Sequence, residues 1–319
     1  MGINLVELLK GTKKTLFSFE LLPPLKGENI HSIYDTIDPL MEFKPPYINI
    51  TYHQEEVVYK KVKENLLEKR TTWKRPGTVA ISAAIKSKYK VAVVPHLICG
   101  GFTKEDTENA LIDLNFLGIH NVLAVRGDPI NESRIFKPEE GGHHHSNELV
   151  KQISDLNKGI YLDDDLLQKT PMNFTIGVAA YPEKHPEAPN MKSDIHFLKK
   201  KVEAGAEFIV TQLFFDNQKF FDFVHLCRQS GIEVPIIPGL KPISTLNHLN
   251  YLSKTFSLDI PEVLVKEVLK CKNNKDVKQV GIEWSTQQSK ELVKFGVPCV
   301  HYYTMGKPDN IHKIAKAIF

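Results

Sequence analysis

The chain predicts an α/β fold of the (β/α)8 barrel class, and three observations carry that prediction. Eight short apolar, β-branched runs recur along 319 residues, separated by stretches of helical period. The connections are mostly short, and the length suits eight βα units with modest insertions. A Gly-x-Gly-x-x-Gly loop, which a doubly wound sheet tends to carry after its first strand, is absent. The expectation is one barrel over 1–319.

The strands are expected, in order, over 15–21, 47–52, 91–98, 121–126, 174–181, 207–213, 234–240 and 299–304. An extra helical segment is expected within 53–90, over 77–88, and a mobile loop insertion over 129–147. Thr103 caps a helix with Asp106 three residues on, in a capping box. Ala110, Leu114 and Leu117 are expected on its apolar face, and Gly118 closes it at C′. Leu198 and Val202 share a face in a helix ended by Gly205, while Gly231 and Gly296 close two more. Extra helical turns are expected within 257–280, before the last barrel helix.

Composition excludes several classes. Net charge is +3 with both signs intermixed, too weak a bias for a nucleic-acid or anionic-membrane partner. The lysine-rich stretch 60–90 reads as solvated surface. Cys99, Cys227, Cys271 and Cys299 lie far apart without zinc-ligand spacing, which suits reduced thiols. The start MGINLVELLK fits neither a signal peptide nor a myristoylation signal, and no apolar run approaches a membrane span. The expectation is a cytoplasmic globular protein.

In such a barrel the functional groups lie at the carboxyl ends of the strands. Those ends carry Glu20, Thr51-Tyr52, His96, Arg126-Gly127-Asp128, Tyr181 with His185 beyond, Gln212, Gly239 with Lys241, and Tyr303-Thr304. Polar groups at strand ends also cap helices or satisfy loop amides; eight at one end point to a shared pocket. Tyr-Pro-Glu-Lys-His-Pro, 181–186, would be one stiff wall of it. Glu20 sits in FSFELLPP, where apolar neighbours should raise its pKa toward that of a general acid. The alternative for Glu20 is a buried salt bridge to Arg126 or a lysine. The histidines of GGHHHS, 141–146, lack partners at ligand spacing, so no metal site is expected. His96 has no HxH or HExxH context, and neither a Gly-x-Ser-x-Gly nor a Cys/His nucleophile pattern is present.

The segments FSFELLPP, NITY, VPHLIC, VLAVRGDP, VAAYPEKHPEA, GAEFIVTQLFFD, IIPGLKPIS and HYYTMGK occur in that order. In order and spacing the chain resembles methylenetetrahydrofolate reductase of the bacterial, catalytic-domain-only type. The resemblance runs from about residue 15 to the C-terminus and is weak through 53–90 and 129–144. It implies a (β/α)8 barrel that binds FAD. It also implies reduction of 5,10-methylenetetrahydrofolate to 5-methyltetrahydrofolate by NADH or NADPH, the nicotinamide leaving before folate takes the same flavin face. By position, Glu20 resembles the acid that protonates folate N10, and Asp128 the carboxylate that stabilises the 5-iminium cation. The resemblance assigns FAD contacts to Thr51, Tyr52, His96, Arg126, Gly127, Asp128, Tyr181, His185, Ala188, Asp194, Lys200 and Lys201. It assigns substrate contacts to Gln212, His248 and Lys307 and implies a homo-oligomer. Lys307 stands where the family has arginine, His145 for a tyrosine, Phe197 for an asparagine, Lys200 for an arginine and His248 for a glutamine. Two other readings are a flavin- or folate-binding barrel that takes electrons from a partner subunit, and a barrel lyase or aldolase using Glu20 with Lys241.

Overall fold

The computed structural model describes residues 4–63, 66–129 and 136–319. Its strands are β1 (Leu16–Leu21), β2 (Tyr47–Ile50), β3 (Glu56–Lys63), β4 (Leu66–Thr72), β5 (Ala92–Ile98), β6 (Asn121–Val125), β7 (Thr175–Ala180), β8 (Phe208–Leu213), β9 (Ile236–Leu240) and β10 (Cys299–Tyr303). Eight of them close a barrel in the order β1-β10-β9-β8-β7-β6-β5-β2, and every adjacent pair is parallel. These are the eight strands expected from sequence, trimmed by one or two residues at most ends. The helices are α1 (Leu5–Gly11), α2 (His31–Ile37), α3 (Thr78–Tyr89), α4 (Lys104–Phe116), α5 (Ser146–Leu156), α6 (Met191–Glu203), α7 (Asn217–Gln229), α8 (His248–Phe256), α9 (Glu262–Leu269), α10 (Asn274–Phe295) and α11 (Asp309–Lys316).

Two layers of apolar packing hold this arrangement. Outward-facing strand residues such as Phe19, Ile48, Val93, Ile176 and Ile209 pack with helix residues such as Ile85, Leu111, Ile153 and Leu198 in one large core. Inward-facing Tyr47, Val94, Leu123, Phe208, Ile237 and Cys299 fill the lower barrel, and Leu5 and Leu9 of α1 pack with that cluster. Phe208 is fully buried there, so Phe208→Ala would cost about 3–5 kcal/mol. With the lower interior filled, the open space is left at the carboxyl ends.

The helix expected over 77–88 is present as α3, and it is the crossover from β2 to β5. The inserted element before it is an antiparallel hairpin, β3–β4, which the sequence reading did not include. Its strands are charged and exposed, so they lack the apolar runs used to find the others. Extra helical turns within 257–280 are present as α9. The loop expected over 129–147 is irregular at 129 and over 136–145; residues 130–135 lie outside those described.

The capping box of α4 forms as expected, Asp106 N donating to Thr103 Oγ1 at 3.1 Å and Thr103 N to Asp106 Oδ2 at 2.9 Å. Its buried face is a correction: Thr107, Leu111 and Leu114 are buried, whereas Leu117 is 42% exposed. The spacing 107, 111, 114 is the true helical stripe, and Leu117 is already the C-cap. Among the described residues no helix is long and apolar enough to cross a membrane.

Candidate active site

The carboxyl ends of the strands surround a cavity of about 800 Å³. Glu20, Thr51, Tyr52, His96, Arg126, Gly127, Asp128, Tyr181, His185, Ala188, Asp194, Lys200, Lys201 and Gln212 all line it. His248 and Lys307 are not among its lining residues. Lys307 acts electrostatically on Lys241, which does line it, and Lys241 and Lys307 both act on His248, so the two residues lie near the cavity.

Glu20 ends β1 between β2 and β10, in register with Asn49 and Tyr303. Its side chain is only 13% exposed, and burial lifts its pKa from 4.5 to about 8 against the opposing charge of Lys241. His96 lies beside it, Nε2 to Oε2 at 3.6 Å, too long for a hydrogen bond. Burial, and then the charge of His53, lowers His96 to about 3. At neutral pH the two are therefore a neutral acid beside a neutral imidazole, not an ion pair. Arg126, the cation the sequence offered as a salt-bridge partner, points elsewhere: its two terminal nitrogens donate to Glu187 at 2.6 Å each. Burial also lowers Lys241 to about 8.

The opposite wall carries both signs of charge, with Arg126, Lys200 and Lys201 among Asp128, Glu187 and Asp194, and it is braced. Arg126 stands 5.0 Å over the Phe136 ring. Lys201, in α6, is half-buried, desolvation lowers it to about 8, and its Nζ donates to Ala179 O at 3.0 Å. Lys200 is its neighbour on the same cavity lining. The 181–188 segment is folded back on α6, with His185 N donating to Asp194 Oδ2 at 2.8 Å and Tyr181 set edge-on to His185 at 4.7 Å. Gly127 adopts φ +87°, a left-handed conformation that costs a side-chain-bearing residue and that lets backbone face the cavity. Asp128 follows it, and its charge reaches Tyr181 and His53.

Several groups went unnoticed in the sequence. Glu187 lies within VAAYPEKHPEA, where nothing local distinguishes it from a solvated carboxylate. Asn49 and His301 are completely buried inside strands, and Ser18 Oγ lies 2.9 Å from His301 Nδ1. The signal for them was parity: Ser18 and Glu20, Asn49 and Thr51, and His301 and Tyr303 are pairs two residues apart, hence on one face of a strand. Gly239 is needed for a different reason. A Cβ there would meet Thr211 O at 2.3 Å and Tyr303 Oη at 2.7 Å, the two atoms joined by a 2.6 Å hydrogen bond that passes over β9 from β10 to β8. The three histidines of 141–146 diverge: His143 is buried with Nε2 2.6 Å from Gln152 Oε1, His144 is exposed, and His145 lines the cavity.

A family model described as methylenetetrahydrofolate reductase matches residues 5–318. The chain belongs to the methylenetetrahydrofolate reductase family. It is 32% identical over 320 residues to methylenetetrahydrofolate reductase (NADH) 1 of Arabidopsis thaliana, covering 96% of this chain and 48% of the relative. It is 30% identical over 312 residues to 5,10-methylenetetrahydrofolate reductase of Buchnera aphidicola, covering 98% and 94%. The Pectobacterium carotovorum reductase is 27% identical, covering 94% and 89%. The chain thus spans about half the length of the plant relative and nearly all of the bacterial ones. Among solved structures, an uncharacterized Clostridium thermocellum protein described as binding two copies of 5-methyl-5,6,7,8-tetrahydrofolic acid shares the fold. Its TM-score is 0.58 at 13% identity, with 98% of this chain and 96% of that one covered.

Proposed function

We propose that this chain is a cytoplasmic, homo-oligomeric methylenetetrahydrofolate reductase that uses FAD and NADH or NADPH to convert 5,10-methylenetetrahydrofolate to 5-methyltetrahydrofolate. The observation that carries the reading is a carboxyl group, Glu20, desolvated and raised to about 8 on one wall of a cavity whose other wall bears Arg126, Lys200 and Lys201. Family membership supplies the substrate class.

The donor set suits FAD. Arg126, Lys200 and Lys201 are cations along one wall that would serve a pyrophosphate once Arg126 turned from Glu187, and Gly127 offers backbone without a side chain. When bound there, FAD would supply the hydride relay from nicotinamide to folate. The protein's own part is proton management and charge. Glu20 donates its proton to folate N10; the C–N10 bond breaks and the methylene stays on N5 as an iminium cation. The Asp128 carboxylate stabilises that cation, and neutral His96 beside Glu20 adds no competing positive charge. Gln212 holds the pterin side, while His248 and Lys307 flank the end of the cavity where an anionic folate tail would leave. Lys307 meets that tail as a point charge, without the bidentate fork of an arginine.

The test is one visible spectrum of the purified protein followed through two anaerobic additions. Flavin absorbance should be present, bleach with NADH and return with methylenetetrahydrofolate. A flavin that NADH leaves oxidised would instead support electron supply by a partner subunit. A second reading, a barrel lyase with Lys241 as amine nucleophile, draws on that depressed ammonium. It predicts a colourless protein that borohydride traps on a carbonyl substrate.

A further inference from the structure

The β3–β4 hairpin is a two-stranded sheet standing apart from the barrel. Its register sets Tyr59 opposite Lys69 and Lys61 opposite Leu67. Side chains alternate along a strand, so these four share one face of the ribbon. All four are exposed, Tyr59 at 65% and Leu67 at 63%. Glu68 pairs with Lys60 on the other face. The first face therefore joins two apolar groups and two ammonium groups without a carboxylate among the described residues. An isolated ribbon is marginal in water, and its free edges and apolar side chains favour a covering partner. That partner must offer apolar groups interleaved with carboxylates.

The same chain displays such a surface at its other end. The connection from α5 to β7 exposes Ile160, Leu162, Leu166 and Leu167, the last with its side chain fully in solvent. Asp163, Asp164 and Asp165 lie between them and are exposed as well. This loop is built rather than frayed. Tyr161 Oη donates to Thr170 O at 2.7 Å, Leu162 N to Glu108 Oε2 at 2.9 Å, and Lys169 Nζ to Asp164 O at 2.8 Å.

The ribbon leaves the carboxyl end of β2, whereas the loop enters the amino end of β7. In a parallel barrel these are opposite ends, so the two surfaces of one molecule face away from each other. We propose that the Tyr59-Lys61-Leu67-Lys69 face docks on the 160–167 loop of a second copy of this chain, the ammonium groups meeting Asp163 and Asp165. The contact is head-to-tail and builds a ring or a chain rather than an isologous dimer. It specifies the interface behind the homo-oligomer proposed above. The contact lies beside the cavity of the copy that supplies the ribbon, because the chain leading into the ribbon, 53–56, lines that cavity.

Sedimentation velocity on the full-length purified protein tests this with two charge reversals on exposed residues. Lys61→Glu with Lys69→Glu, and separately Asp163→Lys with Asp165→Lys, should each weaken self-association by about tenfold or more. Mixing the two variants should restore it, since a reversed ribbon then meets a reversed loop and the remaining native surfaces also pair. A monomeric wild type would overturn both the interface and the homo-oligomer. An oligomer indifferent to both reversals, or a mixture that stays dissociated, would overturn the interface alone. A monomer whose ribbon instead binds phosphatidylglycerol vesicles would assign that face to lipid and likewise overturn the proposal.

Discussion

Two glutamates on facing walls of one cavity are driven in opposite directions. Glu20 is raised to about 8, while Glu187 is held below the usual carboxylate range. Both lie near basic groups, so proximity to charge does not separate them. Glu187 is nearly half exposed and accepts two hydrogen bonds from Arg126, which favour its anion directly. Glu20 is almost buried; its close neighbour is a neutral imidazole beyond hydrogen-bond range, and Lys241 opposes its desolvation only in part. Desolvation wins where no donor reaches the carboxylate, and a bidentate donor wins where one does. One wall is thereby suited to giving a proton and the other to holding an anion.

The largest break in that contrast is Glu20→Gln. It should leave flavin reduction by NADH measurable while slowing flavin reoxidation by methylenetetrahydrofolate about 10²–10⁴-fold in stopped flow. Equal loss in both half-reactions would remove Glu20 from the acid role. Asp128→Asn keeps the shape but removes the anion, and should slow the folate half-reaction about 10²-fold, near the lower end of electrostatic effects of this kind. The same single-turnover traces read it out, and an unchanged rate would release Asp128 from the mechanism.

A pH series sharpens the contrast without mutation. The acid form of Glu20 is present below about pH 8, so the folate half-reaction should fall as pH rises through that value. Stability follows the same direction. Folded Glu20 keeps its proton to about pH 8, whereas the unfolded chain loses it near 4.5, so the folded state binds more protons in between. Its contribution is fully present below pH 4.5 and is lost as pH rises through 8. Glu20→Gln should abolish a decline of a few kcal/mol across that window, measured by urea unfolding at fixed pH values.

Arg126→Met tests the other wall. It should return Glu187 to an ordinary carboxylate and weaken flavin retention about tenfold in equilibrium dialysis. The smallest effect is expected at Gly127. Gly127→Ala places a Cβ at 3.4 Å from Ile98, an ordinary contact, but retains φ +87°. The cost is then backbone strain of about 1–2 kcal/mol in denaturant unfolding.

Glu20 also shows why sequence carried the site so far. Its apolar neighbours in FSFELLPP are contiguous, so the cause of its desolvation is local and legible. The partner of Arg126 was not legible. Arg126 and Glu187 are 61 residues apart and meet only because β6 and the segment after β7 sit side by side. The hairpin was not legible for another reason: a sheet exposed on both faces needs no apolar run, and apolar runs are what mark the barrel strands.

The chain by itself determined the eight-strand repeat, the end of the strands that bears polar groups, and the desolvated acid, because each depends on neighbours within a few residues. Tertiary closure decided which cation meets which carboxylate, that His96 stays neutral beside Glu20, and that a basic ribbon and an acidic loop stand at opposite ends. Those outcomes depend on distances between segments remote in sequence, and electrostatic energies are set by such distances and by the burial that closure creates.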